Sequence, residues 1–506
     1  MNIREAKEEI GKAVKAYTAR TEAGSLRIPL KRQRPLLLIG PPGIGKTAVV
    51  EQIARECGIG LVAYTMTHHT RQSAIGLPVL EQREFNGESC TVTAYTMSEI
   101  IASVYGQMEK SGCREGILFL DEINCVSETL MPAMLQFLQY KTFGSHRLPE
   151  GWVIAAAGNP PAYNRSVREF DAVTLDRVRC LHIKPDWNVW KEYAVERGLH
   201  PAVLSFLELR PERFYVMEPG RAGFVTGRAW EDLSEILLTM EELGLGVEEG
   251  LSGQYLQDEE TALEFIFYYR VYEKWKKRLR PEQILKGGAK ELERELPALP
   301  FDERLCIVWQ LLQRLLSMAA RMDGQRRLSD SLGYFAAGLP GAEAEGAAAC
   351  AGEKETAGDP DAERLQTAVR ERLESRRRGL AVRKENGLLA PGEEERERKL
   401  AEILRVCQEK LRLSGRMDIF AQTSRREAEK AEEQEKEVAS SIENTAAFVR
   451  RAFGEGQELV VFLTGLSEHS ACRELIRRRL PELEEQSEAL LFADRREEEL
   501  RKRLEE

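Results

Sequence analysis

Gly40-Pro41-Pro42-Gly43-Ile44-Gly45-Lys46-Thr47 follows directly on the apolar run Leu36-Leu37-Leu38-Ile39 and leads into Ala48-Val49-Val50-Glu51-Gln52-Ile53-Ala54. A glycine, four residues and then Gly-Lys-Thr is the spacing of a phosphate loop. The glycines lack a Cβ, so the backbone can curl with its N–H groups turned inward at phosphate oxygens. Lys46 supplies a point charge to the outer phosphates, and Thr47 offers a hydroxyl to Mg²⁺. The run after Thr47 reads as a helix whose positive end faces the anion. Strand, loop and helix in that order predict a nucleoside triphosphate site.

A second apolar run, Gly116-Ile117-Leu118-Phe119-Leu120, ends in Asp121-Glu122. A strand buried on both faces reads this way, and open α/β sheets place their chemistry at carboxyl ends of strands. Asp121 is the candidate metal carboxylate. Glu122, one residue later, points differently and is placed to polarise an attacking water. The alternative use of such a pair is to cap the next helix. Trp152-Val153-Ile154-Ala155-Ala156-Ala157 is another strand, ending in Gly158-Asn159-Pro160-Pro161, where Asn159 could reach the γ-phosphate or the water. Asn-Pro as plain turn chemistry is the competing reading. Leu61-Val62-Ala63-Tyr64 and Val178-Arg179-Cys180-Leu181-His182-Ile183 complete the strand candidates, with Asp176-Arg177 just before the last. Between them, Asn86-Gly87 with β-prone flanks suggests a hairpin insertion. Residues 141–147 suggest a tighter hairpin, and Val126 to Tyr140 has a helical pattern.

These residues together resemble the AAA+ ATPases, and most closely the MoxR-like branch with its extra hairpins. The resemblance spans about Arg34 to Trp230. It rests on the phosphate loop and on Leu118-Phe119-Leu120-Asp121-Glu122. Ala157-Gly158-Asn159-Pro160 resembles the family's sensor 1, and Leu175-Asp176-Arg177 its arginine-finger segment. Thr226-Gly227-Arg228-Ala229-Trp230 resembles sensor 2, with Gly227 where the family usually has proline. The resemblance implies a P-loop AAA+ α/β domain with a five-stranded parallel sheet flanked by helices, a helical lid, and a ring, six-membered in expectation, with ATP between subunits. It implies that Arg177 reaches a neighbour's γ-phosphate, with Arg165 and Arg168 as rival fingers. Chaperone-like work on a protein client is implied too, often beside a partner with a von Willebrand factor A domain.

Outside that stretch the reading is coarser. Residues 1–186 are assigned to the α/β domain, 187–290 to a helical lid and 291–337 to a helical extension. Residues 338–361, biased toward Gly, Ala and Glu, read as a flexible linker, and 362–506 as a charged helical C-terminal region. Within that region only Ala446 to Leu466 has a core-grade apolar pattern, divided by Gly454-Glu455-Gly456 into two short helices. Its mixed charges suggest exposed helix faces joined by i,i+4 pairs. The net charge of −10 argues against a chain held on nucleic acid by overall charge. That disfavours a nucleic-acid-linked NTPase of the restriction-type GTPase kind. The Asp121-Glu122 pair disfavours a scaffold that binds nucleotide without turnover. Nine cysteines without a CxxC pair point to reduced thiols. His68-His69 read as loop or strand-end residues rather than metal ligands. With no apolar leader and no membrane-length run, the expected place is the cytoplasm, without membrane insertion.

Overall fold

The computed structural model describes residues 1–68, 74, 76–85, 88–143, 146–163, 167, 169–217, 223–288, 292–337, 360–385, 392–414, 418–487 and 489. Five parallel strands build the central sheet: β1 (Leu36–Ile39), β2 (Gly60–Thr65), β5 (Gly116–Asp121), β8 (Trp152–Gly158) and β9 (Arg179–His182), in the order β2-β5-β8-β1-β9. Their apolar side chains alternate. Leu36, Leu38, Ile117 and Phe119 join the core under α1 (Ile3–Thr18) and α2 (Lys46–Cys57). Leu37, Leu118 and Leu120 join the opposite core under α3 (Glu99–Ser111) and α4 (Met131–Tyr140). Both faces are covered, so the strands read as continuous apolar runs instead of alternating ones.

Register decides what meets at the carboxyl edge. Ile39 is opposite Gly158, and Thr65 is opposite Asp121. The loop after β1 therefore starts beside the end of β8, and the end of β2 lies beside the two acids. Two hairpins stand outside this sheet: β3 (Pro78–Phe85) with β4 (Glu88–Tyr95), and β6 (Thr142–Phe143) with β7 (His146–Arg147). The turn residues Asn86-Gly87 and Gly144-Ser145 lie outside the described residues, as do His69, Arg165, Arg168 and 338–359 of the expected linker.

The helical body follows with α5 (Trp187–Arg197), α6 (Pro201–Leu209), α7 (Gly227–Glu242), α8 (Glu259–Arg278) and α9 (Phe301–Ala337). Further helices are α10 (Pro360–Glu385), α11 (Glu393–Ser414), α12 (Ile419–Phe453), α13 (Gln457–Glu468) and α14 (Ser470–Arg479). Trp230, Phe265, Trp275 and Trp309 centre a core that also takes in Ile442, Val449, Phe462 and Leu475. Helices α12, α13 and α14 thus share one apolar core with the helices that follow the sheet, while α10 and α11 pack in a second cluster against the end of α9. At Gly465 of α13 a Cβ would run into the Leu312 Cδ2 methyl, so glycine lets α13 close on α9 without turning that leucine aside.

Three expectations are corrected. Helix α4 begins at Met131, not at Val126. Pro132 has no N–H to donate, and helices accept proline in the first turn but not inside. The segment before Gly454 is not a short helix but the end of the 35-residue α12. Core-grade burial in the C-terminal region also extends well beyond Ala446–Leu466. Leu400, Leu404, Cys407 and Leu411 of α11 bury against Leu328, Leu332 and Phe335 of α9. In α11 this stripe is separated by charged residues and so passes for a solvated helix.

Candidate functional site

The phosphate loop takes its shape from the two glycines with positive φ, Gly43 (φ 72°) and Gly45 (φ 86°). Gly45 is the residue before α2, so the first N–H groups of that helix open into the loop. Gly43 is also tight: a Cβ there would stand 2.7 Å from Thr226 Oγ1. Tyr215 Oη donates to Pro42 O at 2.8 Å, so the loop is held from the side of the helical body as well.

Lys46 is buried, and its Nζ donates to Gly40 O (2.9 Å), Pro41 O (2.9 Å) and Asn159 Oδ1 (2.8 Å). Burial lowers its pKa to about 8; Arg228 pushes the same way, while Asp121 and Glu122 oppose it. Thr47 Oγ1 donates to Asp121 Oδ2 at 2.9 Å, pairing the helix hydroxyl with the strand-end carboxylate. Glu122 departs from the strand in a left-handed backbone (φ 54°, ψ 37°), uncommon for a residue with a Cβ. Its N–H donates to Asp121 Oδ1 at 2.9 Å, and its Oε2 accepts from Thr67 Oγ1 at 3.1 Å. The two carboxylates therefore diverge, one toward α2 and one toward the end of β2.

Lys46, Thr47, Asp121, Glu122, Asn159 and Arg228 line one cleft of about 520 Å³. Arg228 reaches it from the first turn of α7, whose N-cap Thr226 accepts from Ala229 N. Gly227 at the helix start has a local reason. A Cβ there would meet Trp190 Nε1 at 3.1 Å and Gly43 O at 3.3 Å, so the loop and α5 crowd this position. Arg177 is exposed in the turn before β9 and does not line this cleft. Among the described residues no group of three or more His, Cys, Asp and Glu is placed to hold a metal ion.

The cleft fits a magnesium–triphosphate by its donor set. Loop N–H groups and a lysine suit phosphate oxygens, and a hydroxyl beside a carboxylate suits a hard cation that keeps much of its water. The fold adds residues that local pattern did not reveal. Thr67 holds Glu122, and Asn124 Nδ2 donates to Asn159 O at 2.8 Å. Trp190, Tyr193 and Glu231 form the outer wall, with Trp190 Nε1 donating to Glu231 at 3.3 Å. Burial raises the pKa of Glu231. None of these lies within a recognisable motif; only the tertiary approach of distant segments marks them.

This sheet, loop and strand-end pair define an AAA+ α/β domain followed by a helical C-terminal region. Residues 35–178 match the AAA domain family of the dynein-related subfamily. Over 186 residues the chain is 25% identical to a Lon protease from Endomicrobium trichonymphae, covering 35% of this chain and 21% of that protein. Over 113 residues it is 28% identical to midasin from Giardia intestinalis, covering 22% of this chain and 2% of midasin. The chain thus spans a small part of each relative's length. A solved mutant structure of RuvB from Thermotoga maritima covers 54% of this chain and 77% of its own, at 12% identity and a TM-score of 0.30. No helix among the described residues is long and apolar enough to cross a membrane.

Proposed function

We propose that this chain is a Mg²⁺-dependent ATPase of the MoxR-like kind, turning ATP and water into ADP and phosphate. The convergence of Lys46, Thr47, Asp121, Glu122 and Asn159 on one cleft carries this reading. Gly40, Pro41, Pro42, Gly43, Ile44 and Gly45 form the phosphate loop, whose N–H groups hold the phosphates together with Lys46. Thr47 and Asp121 hold Mg²⁺, which when bound offsets the charge of the phosphate oxygens. Glu122 takes a proton from water, Asn159 orients that water, and Arg228 faces the same charge from α7. Arg177, exposed and outside its own chain's cleft, serves a neighbouring subunit. A trans arginine of this kind is worth about 10³–10⁵ in rate.

The larger reading is a cytoplasmic ring, six-membered, that remodels or assembles a protein partner, with a von Willebrand factor A domain as the partner class the resemblance implies. Its parts are the α/β domain at 1–186, the lid at 187–290, the extension at 291–337, the linker at 338–361, whose last two residues already belong to α10, and the C-terminal region at 362–506. Removing the Glu122 carboxylate while keeping its shape tests the chemistry. Glu122→Gln should bind ATP as the parent does and hydrolyse it about 10²–10⁴ times more slowly. Parental turnover in that variant would end the proposal, and the trapped form should retain its protein partner in a pull-down with ATP.

A further inference from the structure

Asn124 has no part in the chemistry assigned above, yet it joins the two segments that carry it. It lies two residues past Glu122 in the turn Ile123–Cys125 and is 2% exposed. Its Nδ2 donates to Asn159 O at 2.8 Å, across 35 residues of chain. Its Oδ1 is buried and accepts no hydrogen bond from the described residues. A side chain kept for packing alone would be served by leucine, of similar shape and with no amide oxygen to bury. The amide is therefore explained by the bond it donates.

The neighbouring residue is fitted to that bond. At Gly158 a Cβ would stand 2.6 Å from Asn124 Oδ1, so glycine lets the amide lie against the strand end. Gly158 O in turn accepts from Gly40 N at 3.3 Å, where the phosphate loop begins. The contacts close a circuit. Lys46 reaches the Asn159 side chain, Asn124 holds the Asn159 backbone, Asn124 follows Glu122 and Asp121 in sequence, and Asp121 returns to Thr47 beside Lys46.

We propose that Asn124 is a positioning residue for ATP cleavage. It fixes the backbone of Asn159 against the Asp121–Glu122 turn, so the side chain facing the terminal phosphate and the carboxylate preparing the water keep one spacing. This rests on the reading of the cleft as an ATP-hydrolysing site. Asn124 touches neither phosphate nor water and acts through Asn159.

The test is hydrolysis by parent, Asn124→Leu, Asn159→Ala and the double variant, in steady state and in single turnover with excess protein. Asn124→Leu should lower kcat by about ten- to a hundredfold, the usual result of misplacing a reacting group by an ångström. KM for ATP should stay within about twofold, since Lys46 and the loop are untouched. Added to Asn159→Ala, the same change should lower the rate by less than about twofold, because the group it positions is already gone. Parental kcat in Asn124→Leu overturns the proposal, and so does a full multiplied loss in the double variant. A loss confined to KM overturns it as well. Should Asn124→Leu not fold, Asn124→Ser is read by the same criteria. A parent without turnover would refute the ATPase reading itself, whereas an active parent with an unaffected variant refutes only the role of Asn124.

Discussion

Lys46 and Lys191 are both buried lysines, one at the phosphate loop and one on α5 within the helical body. Their surroundings differ in kind. Lys46 donates to two carbonyls and an amide oxygen, with Asp121 and Glu122 near enough to act on its charge but forming no ion pair with it. Lys191 lies 3.0 Å from Glu208 and 3.3 Å from Glu468, and its Nζ stands 5.9 Å from the Trp309 ring centroid. Burial lowers the pKa of Lys46, while the carboxylates beside Lys191 outweigh its burial and raise it. A cation left short of negative partners is prepared for an anion from outside. A cation saturated by two carboxylates is part of the scaffold, and here it ties α5 to α13 from the far end of the chain.

The strongest way to break this contrast is to remove the saturated lysine. Lys191→Met leaves Glu208 and Glu468 facing each other without their cation, in a place where burial already raises the pKa of Glu468 to about 7. Losing one partner of a buried ion cluster costs about 3–5 kcal/mol. Chemical denaturation should show that loss for the whole helical body, because α13 and α5 share one core. An unchanged midpoint would mean that the C-terminal helices do not depend on this cluster. Lys46→Met should do the reverse, abolishing nucleotide binding with little loss of stability.

The unsaturated lysine predicts a pH dependence of binding. With its pKa lowered to about 8, free Lys46 loses its proton as pH rises through 8, and the neutral amine offers the phosphates no charge. Bound phosphates favour the protonated form and raise that pKa, so protons and nucleotide bind together. The dissociation constant of a non-hydrolysable ATP analogue should be flat below about pH 7. Above pH 8 it should rise toward tenfold per unit, or about 1.4 kcal/mol. Calorimetric titration from pH 6.5 to 9.5 measures this, and Lys46→Arg, charged throughout, should remove the slope. A flat profile in the parent would show that Lys46 keeps its charge without help from the ligand.

The same contrast explains what could be read in advance. The loop, both acids and Asn159 stand at the ends of apolar runs, where local pattern is enough, because strand and turn are fixed by neighbours in sequence. Thr67 was not legible: it meets Glu122, 55 residues further along the chain, only because Thr65 and Asp121 pair in the sheet. Asn124 shares a short turn with the acids, but its partner comes from another strand. In the C-terminal region the obstacle is charge within the buried stripe itself. Glu427 and Glu435 of α12 are both 8% exposed, one accepting from Gln325 and the other paired with Arg478 and Arg479. A count of aliphatic residues passes over such positions, so a helix that packs along much of its length looks solvated.

The smallest effect is expected where charge is neither buried nor shared. Arg370 and Glu374 on α10 form an i,i+4 pair at 3.2 Å, with side chains 76% and 56% exposed. Water and salt screen such a pair, and holding two long side chains together costs rotamer freedom that offsets most of the attraction. Glu374→Gln should therefore leave the thermal midpoint and the ATPase rate where they are, at low salt as well as at 0.5 M. The control matters because charges of both signs recur along this region, and reading them all as one stabilising network would predict a cumulative loss instead. A clear fall in the midpoint at low salt, recovered at high salt, would favour such a network. It would also move α10 from the class of solvated faces to the class that Lys191 represents.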